Sequence, residues 1–155
     1  MQCPLHNPWL VVLSVAATVA GIALFVQLVN GILARMSGWA ALAERYPLRG
    51  QAPPPATSMG YGAFRGWLGY NGCLIIAVDD TGFYLAGWPI FLAPTHKPIH
   101  IPWGELTEIR LHKLLWARSF QLVARSAPEV DFRLNERTFA LIRARIPPTV
   151  PIIGE

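Results

Sequence analysis

An unbroken apolar segment near the N-terminus constrains this chain more than any other feature. It runs from Trp9 to Leu33, 25 residues without Asp, Glu, Lys or Arg. As an α-helix rising ~1.5 Å per residue, it exceeds the ~30 Å hydrocarbon core of a bilayer. The rest of a 155-residue chain is too small to surround such a segment on all sides. The pattern predicts a single transmembrane helix over residues 9–34, preceded by a short N-terminus of residues 1–8.

A cleaved secretory signal is the alternative interpretation of this segment. The residues before Trp9 include no Lys or Arg, although a signal peptide begins with a basic region. The apolar run is also longer than the ~7–15 residues of a signal's hydrophobic region. We therefore expect an uncleaved membrane anchor, with Trp9 at one interface.

The charged side chains all follow the apolar segment. The 13 basic and 9 acidic residues begin at Arg35. Arg35, Arg45 and Arg49 lie close behind the helix, and the positive-inside rule places that side in the cytoplasm, with the N-terminus outside the cell (inner) membrane. These three arginines are candidate contacts with an anionic leaflet. A net charge of +4, thinly spread, does not predict nucleic-acid binding.

The two cysteines, Cys3 and Cys73, fall on opposite sides of the predicted membrane helix and so cannot pair. An unpaired Cys73 agrees with a reducing compartment. Its place in an apolar strand predicts a small buried side chain.

Residues 35–60 are expected to connect the membrane helix to a second domain. Residues 37–46 have helical spacing, with Ser37 as a candidate cap and a bend at Ser37-Gly38. Three consecutive prolines, Pro53 to Pro55, then predict an extended linker over residues 50–60.

Residues 61–147 change to a period of two, which predicts a mostly β domain. A weak, glycine-rich first strand is expected over 61–70. Asp79 to Gly82 is a tight turn, and Asn135 caps an amphipathic helix over 136–146. The domain is therefore expected to be a bent antiparallel sheet or partly open barrel of about six or seven strands, capped by a C-terminal helix. Residues 148–155 are left as a tail. The stronger strands are 73–78, 82–87, 99–103, 106–112, 119–124 and 130–134.

The order of strands followed by a helix resembles the pleckstrin-homology-like superfold, which includes GRAM-type domains. The part from Tyr70 to Trp103 is similar to small bacterial membrane-anchored proteins of uncharacterised function. The resemblance implies a fold and an anchor and no activity. The loop expected around Gly66 to Gly72 has only Arg65 beside it, so inositide binding is not implied. The matching motifs are Tyr70-Asn71-Gly72-Cys73-Leu74, Asp80-Thr81-Gly82-Phe83-Tyr84-Leu85 and His96-Lys97-Pro98-Ile99-His100-Ile101-Pro102-Trp103.

An apolar loop between two predicted strands is the first candidate site. Trp88, Ile90, Phe91 and Leu92 are candidate contacts with a protein or lipid partner, because such a loop is rarely left in water. Packing of the loop inside the domain, on Trp103 or Trp116, is the alternative.

The membrane helix carries two further candidate contacts. Ala17 and Gly21 are four residues apart and would allow another helix to approach closely, including one from a second copy of the chain. Gln27 and Asn30 share a helical face and would hydrogen-bond a partner helix, unless both lie at headgroup level.

Catalytic chemistry has little support in the sequence. His96, His100 and Glu105 are a weak candidate for a metal site, without a zinc-ligand spacing. Asp79 and Asp80 are better explained by the turn than as a catalytic pair. Phosphate-loop, dinucleotide-binding and nucleophile-elbow motifs are absent, so no cofactor and no catalytic residue is predicted.

Three functions remain open at this point. The first is a non-catalytic interaction module held at the cytoplasmic face of the membrane. The second is an accessory or assembly subunit of a larger membrane complex. The third is a metal-binding or enzymatic domain around His96 and His100.

Overall fold

A computed structural model describes residues 8–49, 58–66, 68–89, 92, 94–114 and 117–154. Its first element is α1, Pro8–Ser37, a helix of 30 residues. Within the described part of the chain it is the one helix long and apolar enough to cross a membrane. None of its most apolar 18-residue window is buried, so α1 is not a core helix of the β domain.

The chain bends sharply where α1 ends. Gly38 has a φ of 87°, a left-handed conformation that glycine adopts without strain, and α2 follows at Trp39–Arg45. The predicted bend is therefore present. Gly38 rather than Ser37 holds the cap position, although the Ser37 hydroxyl accepts a hydrogen bond from the Trp39 N–H at 3.2 Å.

The short helix α2 belongs to the core of the β domain. Trp39 is fully buried, and Leu42 and Tyr46 are nearly so. The Tyr46 hydroxyl donates to Glu105 Oε2 at 3.0 Å and accepts from the Ser126 N–H at 2.9 Å. A segment that the sequence assigned to the connection after the membrane helix is thus fixed to the sheet.

Within the described residues, eight strands form one curled, mixed sheet, a half-barrel. Its order is β4-β3-β2-β1-β7-β6-β5-β8. Neighbouring strands are antiparallel except β8, which runs parallel to β5. The strands are β1 Ser58–Phe64, β2 Leu68–Val78, β3 Gly82–Gly87, β4 Ile99–Pro102, β5 Leu106–Leu114, β6 Ala117–Ala124, β7 Phe132–Asn135 and β8 Ile152–Ile153.

Eight strands are described where six or seven were expected, and the bounds of the first two also differ from the prediction. The weak strand expected over 61–70 is a hairpin, in which Arg65 and Gly66, both with positive φ, turn β1 into β2. Because β1 has glycines at alternate positions, it lacks the side chains whose alternation would have indicated a strand. The additional strand among the described residues is β8, a two-residue strand in the predicted tail.

The last helix, α3, spans Glu136–Arg143 and begins where predicted. The Asn135 side chain accepts from the Thr138 N–H at 2.8 Å, which is the expected cap. Phe139 and Ile142 are buried, and the Phe139 ring stacks on Phe120 with centroids 3.8 Å apart. The helix ends three residues before the predicted position.

The free edge of β4 is covered by the chain that leaves α2. The His100 N–H donates to the Tyr46 carbonyl at 3.0 Å, and Pro47 bridges Ile99. Trp103, expected at the end of this strand, instead starts a one-turn 3-10 helix, Trp103–Glu105. It is nevertheless buried, as predicted.

Candidate functional site

An open apolar groove lies where the end of α1 meets the start of β2 and the loop after β3. Its volume is about 670 Å³, within the range of small-molecule sites. Its described lining residues are Leu33, Leu68, Gly69, Tyr70, Asn71, Cys73, Trp88 and Leu92.

The loop after β3 is held over this groove by its backbone. The Trp88 N–H donates to the Cys73 carbonyl at 2.9 Å, and the Leu92 N–H donates to the Trp88 carbonyl at 2.9 Å. A Cβ on Gly87 would lie 2.7 Å from Leu92 Cβ, so glycine is required for the loop to fold back this closely. Trp88 and Leu92 are thereby placed on one wall.

Below the groove, a chain of buried hydrogen bonds joins the loop to the end of α1. Tyr70 Oη lies 2.8 Å from His96 Nε2 and donates to Ser37 Oγ at 3.4 Å, and Ser37 Oγ donates to the Ala34 carbonyl. His96 Nδ1 lies 2.9 Å from Thr95 Oγ1. A neutral imidazole has one donor and one acceptor, so with the Tyr70 proton given to Ser37, His96 Nε2–H donates to Tyr70 Oη and Nδ1 accepts from Thr95.

Trp39 packs against Tyr70 and His96, two members of this chain of hydrogen bonds. Its ring centroid is 5.7 Å from that of Tyr70, 5.1 Å from His96 and 5.4 Å from Phe64. The Trp39 indole N–H donates to the Lys97 carbonyl at 3.0 Å. The wall of the groove, the loop and the α1–α2 junction therefore form one packed unit.

Burial sets the protonation of the central pair. Desolvation raises the pKa of Tyr70 and lowers the pKa of His96, which is only 1% exposed. Both side chains are therefore neutral near pH 7. A closed pair of this kind organises structure and does not expose a base to a substrate.

The predicted loop residues divide into two groups. Trp88 is exposed, and Leu92 is half-buried against the core. Ile90 and Phe91 lie outside the described residues, as do Trp116 and Cys3. Cys73, expected to be buried, is half-buried and lines the groove.

The three juxtamembrane arginines are not equivalent. Arg35 and Arg49 are exposed. Arg45 is also exposed but forms an ion pair with Glu129, which ties α2 to the loop before β7.

The candidate packing residues of α1 lie on two parts of the helix. Ala17 and Gly21 are in its exposed part, and a Cβ on Gly21 would have no neighbour within 4 Å. Gln27 and Asn30 are half-buried, nearer the β domain. Gln27 Oε1 is buried without a hydrogen-bond partner among the described residues.

The structure does not bring the weak metal candidates together. His96 bonds Tyr70 and Thr95, His100 stacks on Tyr84 with centroids 4.3 Å apart, and Glu105 accepts from Tyr46 and Ser126. In the part of the chain that the structure describes, no group of three or more His, Cys, Asp or Glu side chains is placed to hold a metal.

Asp79 and Asp80 serve different partners, as the turn interpretation requires. Partial burial of Asp79 raises its pKa, but hydrogen bonds from Thr81, Tyr84 and the Gly82 N–H outweigh this and hold the pKa at about 2. Asp80 pairs with Arg145. Asp79 bonds hydroxyls and not the nearby His100 ring, so the cluster lacks the acid–base–nucleophile order of a hydrolase site.

Sequence reasoning missed six groove residues, which are Leu33, Leu68, Gly69, Tyr70, Asn71 and Cys73. Tyr70, Cys73 and His96 stand in the motifs that carried the family resemblance, which was the available signal. The pairing of Tyr70 with His96 depends on the sheet and is not visible in their 26-residue separation. No protein-family model and no curated protein matches this chain.

Proposed function

We propose that this protein is a non-catalytic, membrane-anchored interaction module. In this proposal α1 crosses the cell membrane, and the β domain lies at the cytoplasmic face and offers the groove beside α1 to a partner. The observation that most directly supports the proposal is the position of the groove, which is lined by both the apolar helix and the β domain.

The helix geometry supports the membrane placement. From Pro8 to Phe25 every residue is exposed, 18 residues or about 27 Å of helix. This length is close to the ~30 Å hydrocarbon core. The first half-buried residue is Val26, so the β domain begins near the point where the hydrocarbon would end. Arg35 and Arg49 after the helix support the cytoplasmic side.

The pleckstrin-homology-like assignment is part of the same proposal. An antiparallel sheet of seven consecutive strands, curled and followed at once by an amphipathic helix, supports it. Many modules of this general architecture use the sheet as a rigid frame and the loops for binding. The loop from Trp88 to Pro98 takes that role here.

Membrane placement is tested on the full chain in the inner membrane of a bacterial host. Retention in the membrane after alkaline extraction is expected, because α1 leaves only by disrupting the bilayer. A C-terminal epitope should be digested by protease in inverted vesicles and protected in spheroplasts. Release by alkali, or protection of the epitope in inverted vesicles, would contradict the anchor or its orientation.

The binding role is tested by crosslinking in intact membranes with two variants. Trp88→Ser changes an exposed apolar side chain at the groove, and Ile153→Ser changes an exposed apolar side chain on β8. We expect Trp88→Ser to reduce crosslinking to the partner while Ile153→Ser leaves it unchanged. Equal crosslinking by both variants and the parent would contradict a binding role for the groove.

A second candidate function is that of an accessory subunit of a membrane complex. Gln27 Oε1 is buried and has no hydrogen-bond partner in the part of the chain that the structure describes, and this favours an accessory subunit, since an amide in a membrane helix gains from a hydrogen bond across a helix pair. Purification in mild detergent separates the candidates. Stable recovery with other membrane subunits, lost in Gln27→Leu, would support an accessory subunit.

A further inference from the structure

The apolar groove beside α1 is lined in a way that restricts its ligand. Among its described lining residues there is no charged side chain. Tyr70 contributes its ring, because its hydroxyl already bonds His96 and Ser37. Asn71, the Cys73 thiol and the Trp88 indole N–H are the other polar groups of the described lining side chains. A headgroup, nucleotide or acidic peptide would find few donors in this lining.

The groove is also continuous with the surface of α1 that would meet lipid. Leu33 belongs both to the apolar segment and to the groove. It lies eight residues beyond Phe25, the last fully exposed position of that stretch, or about 12 Å further along the helix axis. With Trp9 at the opposite interface, Leu33 falls just outside the ~30 Å hydrocarbon, where chains and headgroups meet.

The position of Trp88 agrees with a groove at this depth in the membrane. It stands at the groove with 36% of its surface exposed, and tryptophan favours the boundary between hydrocarbon and headgroups. A soluble ligand would have to enter past this boundary, whereas lipid chains are already there at high local concentration.

From these observations we propose that the groove holds an acyl chain of a bilayer lipid, packed between Leu33 of α1 and Trp88 and Leu92 of the loop. This inference rests on the membrane placement given above and deepens it by naming the ligand class. The ligand chemistry is a flexible hydrocarbon chain, with the headgroup left at the surface.

The bound chain would make the loop part of the anchor. Leu92 is connected through the His96 backbone N–H, at 2.8 Å, to the buried pair with Tyr70. A chain seated on Leu92 and Tyr70 would therefore fix the orientation of the β domain relative to the bilayer. Without it, only the α1–α2 junction would do so.

The test uses the full-length protein reconstituted in phosphatidylcholine vesicles that contain a photoreactive diazirine in one acyl chain. After irradiation, adducts are mapped by mass spectrometry of peptides. We expect adducts in two regions, α1 and the groove peptides that include Leu68 to Cys73 and Trp88 to Leu92. Adducts on α1 alone would overturn the acyl-chain proposal and leave the membrane anchor in place. Absence of adducts on α1 would overturn the anchor itself.

A groove-filling variant sharpens the result. Cys73→Trp should occupy the groove, and Thr107→Trp places the same side chain on β5, outside the described lining. Groove adducts should fall about tenfold in Cys73→Trp, which corresponds to ~1.4 kcal/mol of lost affinity, and stay unchanged in Thr107→Trp. Circular dichroism checks that both variants are folded. If Cys73→Trp does not fold, the adduct map of the parent protein still decides between the outcomes.

A protein ligand is the remaining outcome. Crosslinks from the groove to a protein in native membranes, with no lipid adduct there, would overturn the acyl-chain proposal and support the more general binding role.

Discussion

Tyr70 Oη and His96 Nε2 lie 2.8 Å apart inside the protein, and the centroids of their rings are 5.7 and 5.1 Å from that of Trp39 at the α1–α2 junction. Tyr70 comes from β2 and His96 from the loop after β3, so the bond joins two walls of the groove. Because both side chains are buried and neutral, their hydrogen bond stabilises the fold by giving each buried polar atom a partner.

Tyr70→Phe is expected to destabilise the β domain. The change leaves His96 Nε2 buried without a partner, which costs ~1–3 kcal/mol of unfolding free energy. Urea unfolding of the full chain in detergent, followed by tryptophan fluorescence, measures it. Tyr61→Phe is the matched control, since Tyr61 is half-buried on neighbouring β1 and should change stability by less than ~0.5 kcal/mol. Equal effects of the two changes would contradict a structural role for the Tyr70–His96 bond.

Acidification is expected to weaken the fold below neutral pH. Burial lowers the pKa of His96 and of His100, so below their ordinary value of about 6.5 the unfolded chain binds more protons than the folded one. The contribution of these two histidines to the free energy of unfolding is therefore fully present above pH ~6.5. It falls as the pH drops below that value, by up to ~1.4 kcal/mol per pH unit for each histidine.

Unfolding in urea between pH 7.5 and 5 measures this slope. His96→Gln should reduce the slope. Asp79→Asn should keep the His96 contribution, because the Asp79 pKa of about 2 places its own titration below the ordinary carboxyl range. A slope unchanged by His96→Gln would show that His96 is not a source of the pH dependence.

The turn between β2 and β3 is expected to depend on one of its two aspartates. Asp79→Asn removes the charged acceptor of hydrogen bonds from Thr81, Tyr84 and Gly82, and we expect a loss of about 1 kcal/mol, reduced by partial solvent exposure. Asp80→Asn removes only an exposed pair with Arg145 and should have little effect. Thermal unfolding by near-ultraviolet circular dichroism compares the two, and the reverse order would contradict this account.

The bend between α1 and α2 is expected to require glycine. Gly38→Ala would place a Cβ at positive φ, 3.1 Å from Val130 Cγ1, and should cost ~1–2 kcal/mol. Gly104→Ala is the control, because a Cβ built there would meet no described atom within 4 Å apart from those of its own chain neighbours. Comparison of their urea midpoints checks the prediction. A neutral Gly38→Ala would mean that the junction relaxes.

Periodicity and charge were sufficient for the elements whose side chains alternate or repeat. The apolar run of α1, the Asp79–Gly82 turn and the Asn135 cap each follow from residues adjacent in the chain, so local physics fixes them. The β1–β2 hairpin was missed because Gly60, Gly62 and Gly69 leave its pattern blank. Nothing local marks β8, which exists by pairing with β5.

The candidate site divides in the same way. The apolar loop and the apolar helix can be predicted from the sequence, because hydrophobicity is a property of each side chain. The contact between the loop and the helix cannot be predicted in this way, because it depends on the left-handed turn at Gly38 and on the burial of α2 in the half-barrel. Long-range packing brings Leu33, Tyr70 and Leu92 to one groove, since the free energy of burying Trp39 is gained only when the helix, sheet and loop close around it.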